Sequence, residues 1–333
     1  MTALSLPDAR ALVMAAMTAC GHSAEAAETI ADHLLDCELR GLSFGGLARA
    51  LSIAERIHTT EAVPRPIRVV AETPVSATVD GGDQVGYLVG MHALRLAMTK
   101  ARAQGVAVVG AHNTWYTGMF SYYLEKAAAA GLAGMIAGSG PAVVAPHGGT
   151  EARFGTNPIA FGFPATPTPV IWDIGTSAVM YGEVRLKARL GERLAPGQAY
   201  DAAGAPTLDP AAALEGAFGV WGAHKGSGLA LVVQLLGMMT GAAADPPGVS
   251  DCGFFVVLVD PGVLTDPDDY RRRVVAFAES VRATRPVEDG RPVRMPFDRS
   301  AARRDETLRH GAIDVPEAVV AALREEAAGA GGV

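Results

Sequence analysis

The chain has 333 residues, 49% of them hydrophobic and 19% charged, with a net charge of −7. That apolar density excludes intrinsic disorder, and the acidic balance leaves no basic footprint for a nucleic acid. No apolar run reaches the roughly 18 residues that span a bilayer, and Met1–Arg10 lacks the basic, apolar and cleavage regions of a signal peptide, so a cytoplasmic enzyme or binding protein is expected.

Ser5, Pro7 and Asp8 form a helix-start signal, with Leu12, Val13, Ala16 and Met17 at helical spacing before Gly21. Ser23 opens a second helix with Ile30, Leu34 and Leu35 on one face, and Ala48–Ile57 reads as a third. Ile67–Val70 and Val75–Asp80 read as an antiparallel hairpin, followed by a glycine-rich turn over Gly81–Gly86 and a helix over Val89–Ala103. Val106–Val109, Leu132–Ala137, Ile159–Phe163, Val170–Asp173 and Phe254–Val259 are apolar strands, and Gly118–Ala130 is helical between the first two. Ala188–Ala212 reads as loop. His224–Gly241 is a helix with almost no polar face, which predicts full burial. Tyr270–Arg282 and Pro316–Ala328 complete the helices. The order does not alternate strand and helix cleanly, so a doubly wound sheet is not indicated. Cys20, Cys37 and Cys252 form no CxxC pair and read as small buried residues in a reducing compartment.

Searches for familiar catalytic patterns mostly fail. Gly138-Ser139-Gly140 and Gly226-Ser227-Gly228 lack the third glycine of a dinucleotide fingerprint. No phosphate loop ends in Gly-Lys-Ser/Thr, and no HxH, HExxH or paired-cysteine pattern points to a metal. Gly41-Leu42-Ser43-Phe44-Gly45 spells the serine hydrolase elbow, but it sits between two predicted helices where that elbow needs a preceding strand. Three polar, glycine-rich segments remain: Gly155–Pro158, Asp173–Ser177 and His224–Gly228. In the last, Lys225 and Gly226 open a helix, where free N–H groups beside a cation suit an anionic phosphate.

Taken in order, these segments resemble the malate/L-lactate dehydrogenase family, whose fold differs from the Rossmann dehydrogenases. The resemblance runs through Arg40-Gly41-Leu42 to Arg49, Gly81–Gly86, Val144–Gly149 and Phe154–Pro158. It continues through Asp173–Ser177, His224–Leu231, Gly253–Phe255 and Met295–Arg304. It implies an α/β fold with a mixed, largely antiparallel central sheet and helical segments at both ends. The expected division is a helical segment 1–75 that carries Arg49 and packs with the C-terminus, a catalytic and cofactor-binding region 76–260, and a helical segment 261–333. The implied activity is NAD- or NADP-dependent oxidoreduction of a 2-hydroxy acid, 2-oxo acid or cyclic imino acid by a homodimer. By matching position, Thr156, Asn157, Asp173, Thr176, Ser177, Lys225 and Gly226 would hold the cofactor, with Arg303 or Arg304 on its phosphates.

Departures from the family pattern locate the catalytic question. Where the first motif normally carries Ser-His, this chain has Phe44-Gly45, while Arg49 is kept and can hold a carboxylate through a bidentate pair. Where the family places its general-acid histidine, between Asn113 and Gly118, this chain has Tyr116. A tyrosine is protonated at neutral pH and can donate in the reductive direction, but it is a poor base unless a cation lowers its pKa. Phe44, Trp115 and His147 are expected near the substrate, and Gly241–Gly253 is shorter than in relatives, which predicts a larger or less polar substrate than lactate or malate. Two further readings stay open: a non-redox enzyme (cyclisation, elimination or isomerisation) on the same scaffold, and a non-catalytic relative that keeps the cofactor site for stability.

Overall fold

A computed structural model describes residues 1–288 and 290–329. The short strand β1 (Thr2–Ser5) leads into α1 (Leu6–Ala19), whose N-cap Ser5 accepts from Asp8 N–H as the start signal predicts. There follow α2 (Ala24–Leu39), α3 (Leu47–Thr59), β2 (Arg68–Glu72), β3 (Ser76–Val85), α4 (Gly86–Gln104), β4 (Val106–Trp115), α5 (Phe120–Ala129), β5 (Ala133–Gly138), β6 (Ile159–Phe163) and β7 (Val170–Ile174). Beyond these lie α6 (Tyr181–Leu190), β8 (Ala199–Tyr200), β9 (Pro206–Thr207), α7 (Pro210–Leu214), β10 (Ala217–Phe218), α8 (Ala223–Met239), β11 (Phe254–Val259), α9 (Pro267–Arg282), α10 (Asp298–His310), β12 (Ala312–Val315) and α11 (Glu317–Ala327).

The main sheet has the order β2-β3-β4-β11-β5-β6-β7. Only β3 and β4 pair in parallel, with α4 as their crossover; every other pairing in this sheet is antiparallel. The mixed, largely antiparallel sheet is therefore as expected. β11 enters between β4 and β5 from more than a hundred residues downstream, which local alternation cannot signal. The two chain ends meet, since β1 pairs with β12 and Val319, Val320 and Leu323 of α11 share a core with Val13, Ala16 and Met17 of α1.

Four expectations are corrected. Gly81–Gly86 does not form a simple turn; β3 continues to Val85 with an irregularity between Asp80 and Gln84, where Gly82 and Asp83 take positive φ. Ala188–Ala212 is not plain loop, because it supplies the end of α6, the pair β8–β9 and the start of α7 around a small core of its own. The apolar residues there are too few and too scattered to show periodicity. α10 lies where no helix was expected; it carries almost no apolar face and buries no residue. The helix read as fully buried is α8, and it buries only Gly226, Ala230, Val233, Gln234 and Gly237. Its other face leaves Leu231, Val232, Leu235, Met238 and Met239 between 42% and 65% exposed. One helix side packs on the sheet, and none of the described residues covers the other.

Candidate active site

A cavity of about 870 Å³ lies where the N-terminal helices, the edge of the main sheet and the start of α10 converge. That size suits a cofactor or a drug-sized ligand. The cavity brings together Phe44, Arg49, Tyr116, Thr156, Asn157, Asp173 and Arg303 from the residues singled out in the sequence.

Tyr116 sits just beyond the end of β4, at φ +54°. A bulky residue in the left-handed region is held there only by its surroundings. Trp115 supplies part of that support. It is fully buried, donates its indole N–H to Asp83 O (3.0 Å) and meets the Tyr116 ring edge-on at 5.5 Å. Arg56 covers the Trp115 ring at 4.4 Å and pairs with Asp83 at 2.7 Å. Trp115 thus backs the tyrosine and does not line the cavity. On the other side, Gly118 turns the chain at φ +79° against His33, whose Nε2 accepts from Met119 N–H (2.8 Å). Burial lowers the His33 pKa to about 3, so the ring stays a neutral acceptor. Nothing in the sequence ties residue 33 to residue 119; only the packing of α2 does.

The Arg49 guanidinium lies over the Tyr116 ring, 4.5 Å from its centre. Its Nη1 is buried without a partner, and Gly182 of α6 leaves it room, since a side chain there would collide with Nη2. An unpaired buried cation is costly unless an anion completes it. Burial raises the Tyr116 pKa above the usual phenol range, while Arg49 pulls the other way. The hydroxyl is thereby kept in its protonated form.

Asp173, at the inner end of β7, faces the N-terminus of α5, where Ser121 N–H donates to its Oδ2 (2.7 Å). Burial raises its pKa despite those donors. Asn157 is fully buried at φ +38°. Its Nδ2 donates to Ala230 O and Gln234 Oε1, both at 2.8 Å, which fixes the amide and leaves Oδ1 an unpaired buried acceptor. Thr176 is buried too, and its hydroxyl donates to the Thr156 and Asn157 carbonyls at 3.1 Å. It braces the Thr156–Asn157 loop from behind. Ser177 faces the Met180 sulfur.

Arginines gather at the α10 end. Arg40 is buried, pairs with Asp36 (2.7 Å) and Glu125 (2.6 Å), lies under the Phe297 ring and keeps Nη1 unpartnered. Arg303 lies against Gly41, whose φ of +75° and missing side chain admit the guanidinium. Arg304 turns away from the cavity to Asp36 at 2.7 Å. Lys225, Gly226 and His147 also lie apart from the cavity. Lys225 and His147 are exposed at the start of α8, where Ser227 Oγ accepts from His147 N–H, and Gly226 is packed against the Trp221 carbonyl. Sequence reasoning gave no role to His33 behind the Gly118 turn, or to Arg40 and the buried thiols of Cys37 and Cys252 on the cavity wall. Burial pushes both thiols up, Cys252 to about 12, which keeps them protonated and unreactive.

Arg40 Nη1, Arg49 Nη1 and Asn157 Oδ1 are thus three buried polar atoms without partners on one cavity: two cations and one acceptor. A nicotinamide dinucleotide with a carboxylate substrate offers the complementary set, namely phosphate and carboxylate anions and a carboxamide N–H. The residues present fit that pair of ligands.

A family model described as malate/L-lactate dehydrogenase matches residues 4–324. The chain is 34% identical over 278 residues to the L-sulfolactate dehydrogenase of Methanothermobacter thermautotrophicus, covering 80% of this chain and 82% of that protein. It is 32% identical to the Delta(1)-pyrroline-2-carboxylate reductase of Ancylobacter novellus, with 96% of each covered. Among solved structures, a dehydrogenase from Sinorhizobium meliloti superposes with a TM-score of 0.90 at 31% identity, covering 98% of each chain. The chain is an oxidoreductase that belongs to the malate/L-lactate dehydrogenase family.

Proposed function

We propose that this protein is an NAD(P)H-dependent reductase of a 2-oxo acid or cyclic imino acid, with Arg49 holding the substrate carboxylate and Tyr116 delivering the proton. The observation that carries this reading is the stacked pair itself: a guanidinium whose Nη1 is buried without a partner lies over the ring of a half-buried, protonated phenol on one cavity wall. Relatives that act on a sulfolactate and on a pyrroline carboxylate support a small carboxylate substrate.

A nicotinamide, when bound, supplies the hydride. Asn157 and Thr156 would hold its carboxamide end, and Arg303 with Arg40 its anionic end. Arg49 fixes the substrate by its carboxylate, and the aromatic walls formed by Phe44, Tyr116 and Tyr181 keep water away. Tyr116 gives its hydroxyl proton to the carbonyl oxygen as that oxygen becomes an alcohol. Arg49 then faces the phenolate and steadies its charge until solvent returns the proton. A cyclic iminium substrate already carries its proton, so it relies less on Tyr116.

Lys225 and His147 stand beside the uncovered apolar face of α8. We assign that face to a homodimer contact, the event that would bring this segment against a cofactor. A cytoplasmic location and a choice of either NAD or NADP complete the proposal.

The test is titration of the protein with NADH and NADPH, then cofactor oxidation with a panel of 2-oxo and cyclic imino acids. Saturable binding with substrate-dependent oxidation supports the reading, and absence of binding by either cofactor overturns it. Tyr116→Phe should lower turnover on 2-oxo acids about 100-fold or more with cofactor affinity unchanged. Asp173→Asn is the control, because a loss confined to that variant would move the proton donor to Asp173.

A further inference from the structure

Far along the chain from one another, Cys20, His58 and Glu326 come together at the meeting of three helices. Cys20 caps the end of α1, His58 is in the last turn of α3 and Glu326 is in the last turn of α11. Cys20 Sγ donates to Glu326 Oε1 at 3.2 Å, and His58 Nε2 lies 2.8 Å from the same oxygen. All three ligand atoms lie within 4.8 Å of one another. None of the three residues lines the cavity.

We propose that this cluster is a structural site for a thiophilic divalent cation of the Zn²⁺ class, closing the N-terminal helices onto the C-terminal one. The donor set carries the argument. A thiolate, an imidazole and a carboxylate are the three protein ligands such an ion takes, and thiolate plus carboxylate exactly neutralise its two charges. Geometry agrees. A tetrahedral site with bonds of about 2.0 to 2.3 Å separates its ligand atoms by about 3.3 to 3.7 Å. Glu326 Oε1 lies 3.2 Å from Cys20 Sγ and 2.8 Å from His58 Nε2, so these two pairs need to open by about half an ångström, while Cys20 Sγ and His58 Nε2 already lie within 4.8 Å of each other.

The surroundings supply the rest of the coordination. The Glu326 side chain is only 12% exposed and so is held in place, while the His58 side chain is 35% exposed, which opens one side for water as fourth ligand. The ligands are 306 and 268 positions from Glu326 in the chain, so the ion would bind the folded protein and not the unfolded one. Spacing searches see metal motifs only when the ligands are close in sequence, and no two of these are. Cys37 and Cys252 are buried at the cavity and cannot substitute for Cys20.

Cobalt(II) tests the site without reference to activity, since it fills zinc sites and a thiolate bond gives it a sulfur-to-metal absorption band. The full chain, reduced and freed of metal, is titrated with Co²⁺ and separately melted with and without Zn²⁺. The proposal expects saturation at one ion per chain with that band, and a higher melting temperature with Zn²⁺. Cys20→Ser should abolish the band, and His58→Gln and Glu326→Gln should each weaken Co²⁺ binding at least tenfold. A reduced wild-type protein that shows no band at millimolar Co²⁺ overturns the proposal. So does a band that survives Cys20→Ser.

Discussion

In the proposed mechanism Tyr116 and Arg49 work as a pair because each corrects the other's isolation. Burial keeps the phenol protonated, and the guanidinium above it waits for a carboxylate. The sign of the pH dependence follows. Reduction needs the protonated phenol, which persists through neutral pH because its pKa is raised, so the rate of 2-oxo acid reduction should stay flat from pH 6 to about 9. Oxidation of the product needs the phenolate and should climb toward alkaline pH over the same range. Parallel pH–rate profiles in both directions check this, and a maximum near pH 7 for oxidation would assign the proton to another group. At this scale the sequence is partly legible. Positional matching leads to Arg49 and Tyr116, and both line the cavity. Trp115 also follows from it, yet the indole faces Asp83 and supports its neighbour from behind. Adjacent residues at the end of a strand point to opposite sides, and position alone does not say which side holds the ligand.

Among the elements, α3 carries a titration of its own. Its Leu47 N–H is capped by the buried Glu38 carboxyl at 2.8 Å, and burial raises that carboxyl to about 7. Between the ordinary carboxylate pKa and 7 the folded state keeps a proton that the unfolded chain has lost. Glu38 therefore adds stability that is full at low pH and is lost as pH rises toward 7, amounting to about 3 kcal/mol. Urea unfolding at pH 5 and pH 8 should show this fall in the wild type. Glu38→Gln keeps an oxygen for Leu47 N–H and should remove most of the difference; an unchanged difference would place the titration elsewhere. Helices with a strong apolar stripe or a clear cap, such as α1, can be read from sequence alone. α10 cannot, because it buries nothing and is held by ion pairs such as Arg282–Asp298 and Arg304–Asp36. α8 misleads in the other direction. A helix apolar on all sides reads as buried in its own chain, whereas half of this one faces outward.

At the scale of the whole molecule, that outward face is the surface proposed for the homodimer contact. β1–β12 pairing and the shared core of α1 and α11 tie the ends together, a long-range contact that no local pattern announces. The five large apolar residues exposed along α8 are what a second copy would cover. Leu235, 52% exposed, is central to the row, and Leu235→Glu should convert the proposed dimer to a monomer in light scattering while leaving the fold intact. A wild-type monomer at micromolar concentration would contradict the assignment. The account as a whole rests on hydride arriving at a carboxylate-bearing substrate held by Arg49. The direct measurement is transfer of deuterium from nicotinamide labelled at C4 to the product of a 2-oxo or cyclic imino acid. The account predicts one deuterium on the carbon beside the carboxylate, with one cofactor oxidised per product. Product that forms without deuterium and without cofactor oxidation would contradict it and favour a non-redox reaction on this scaffold.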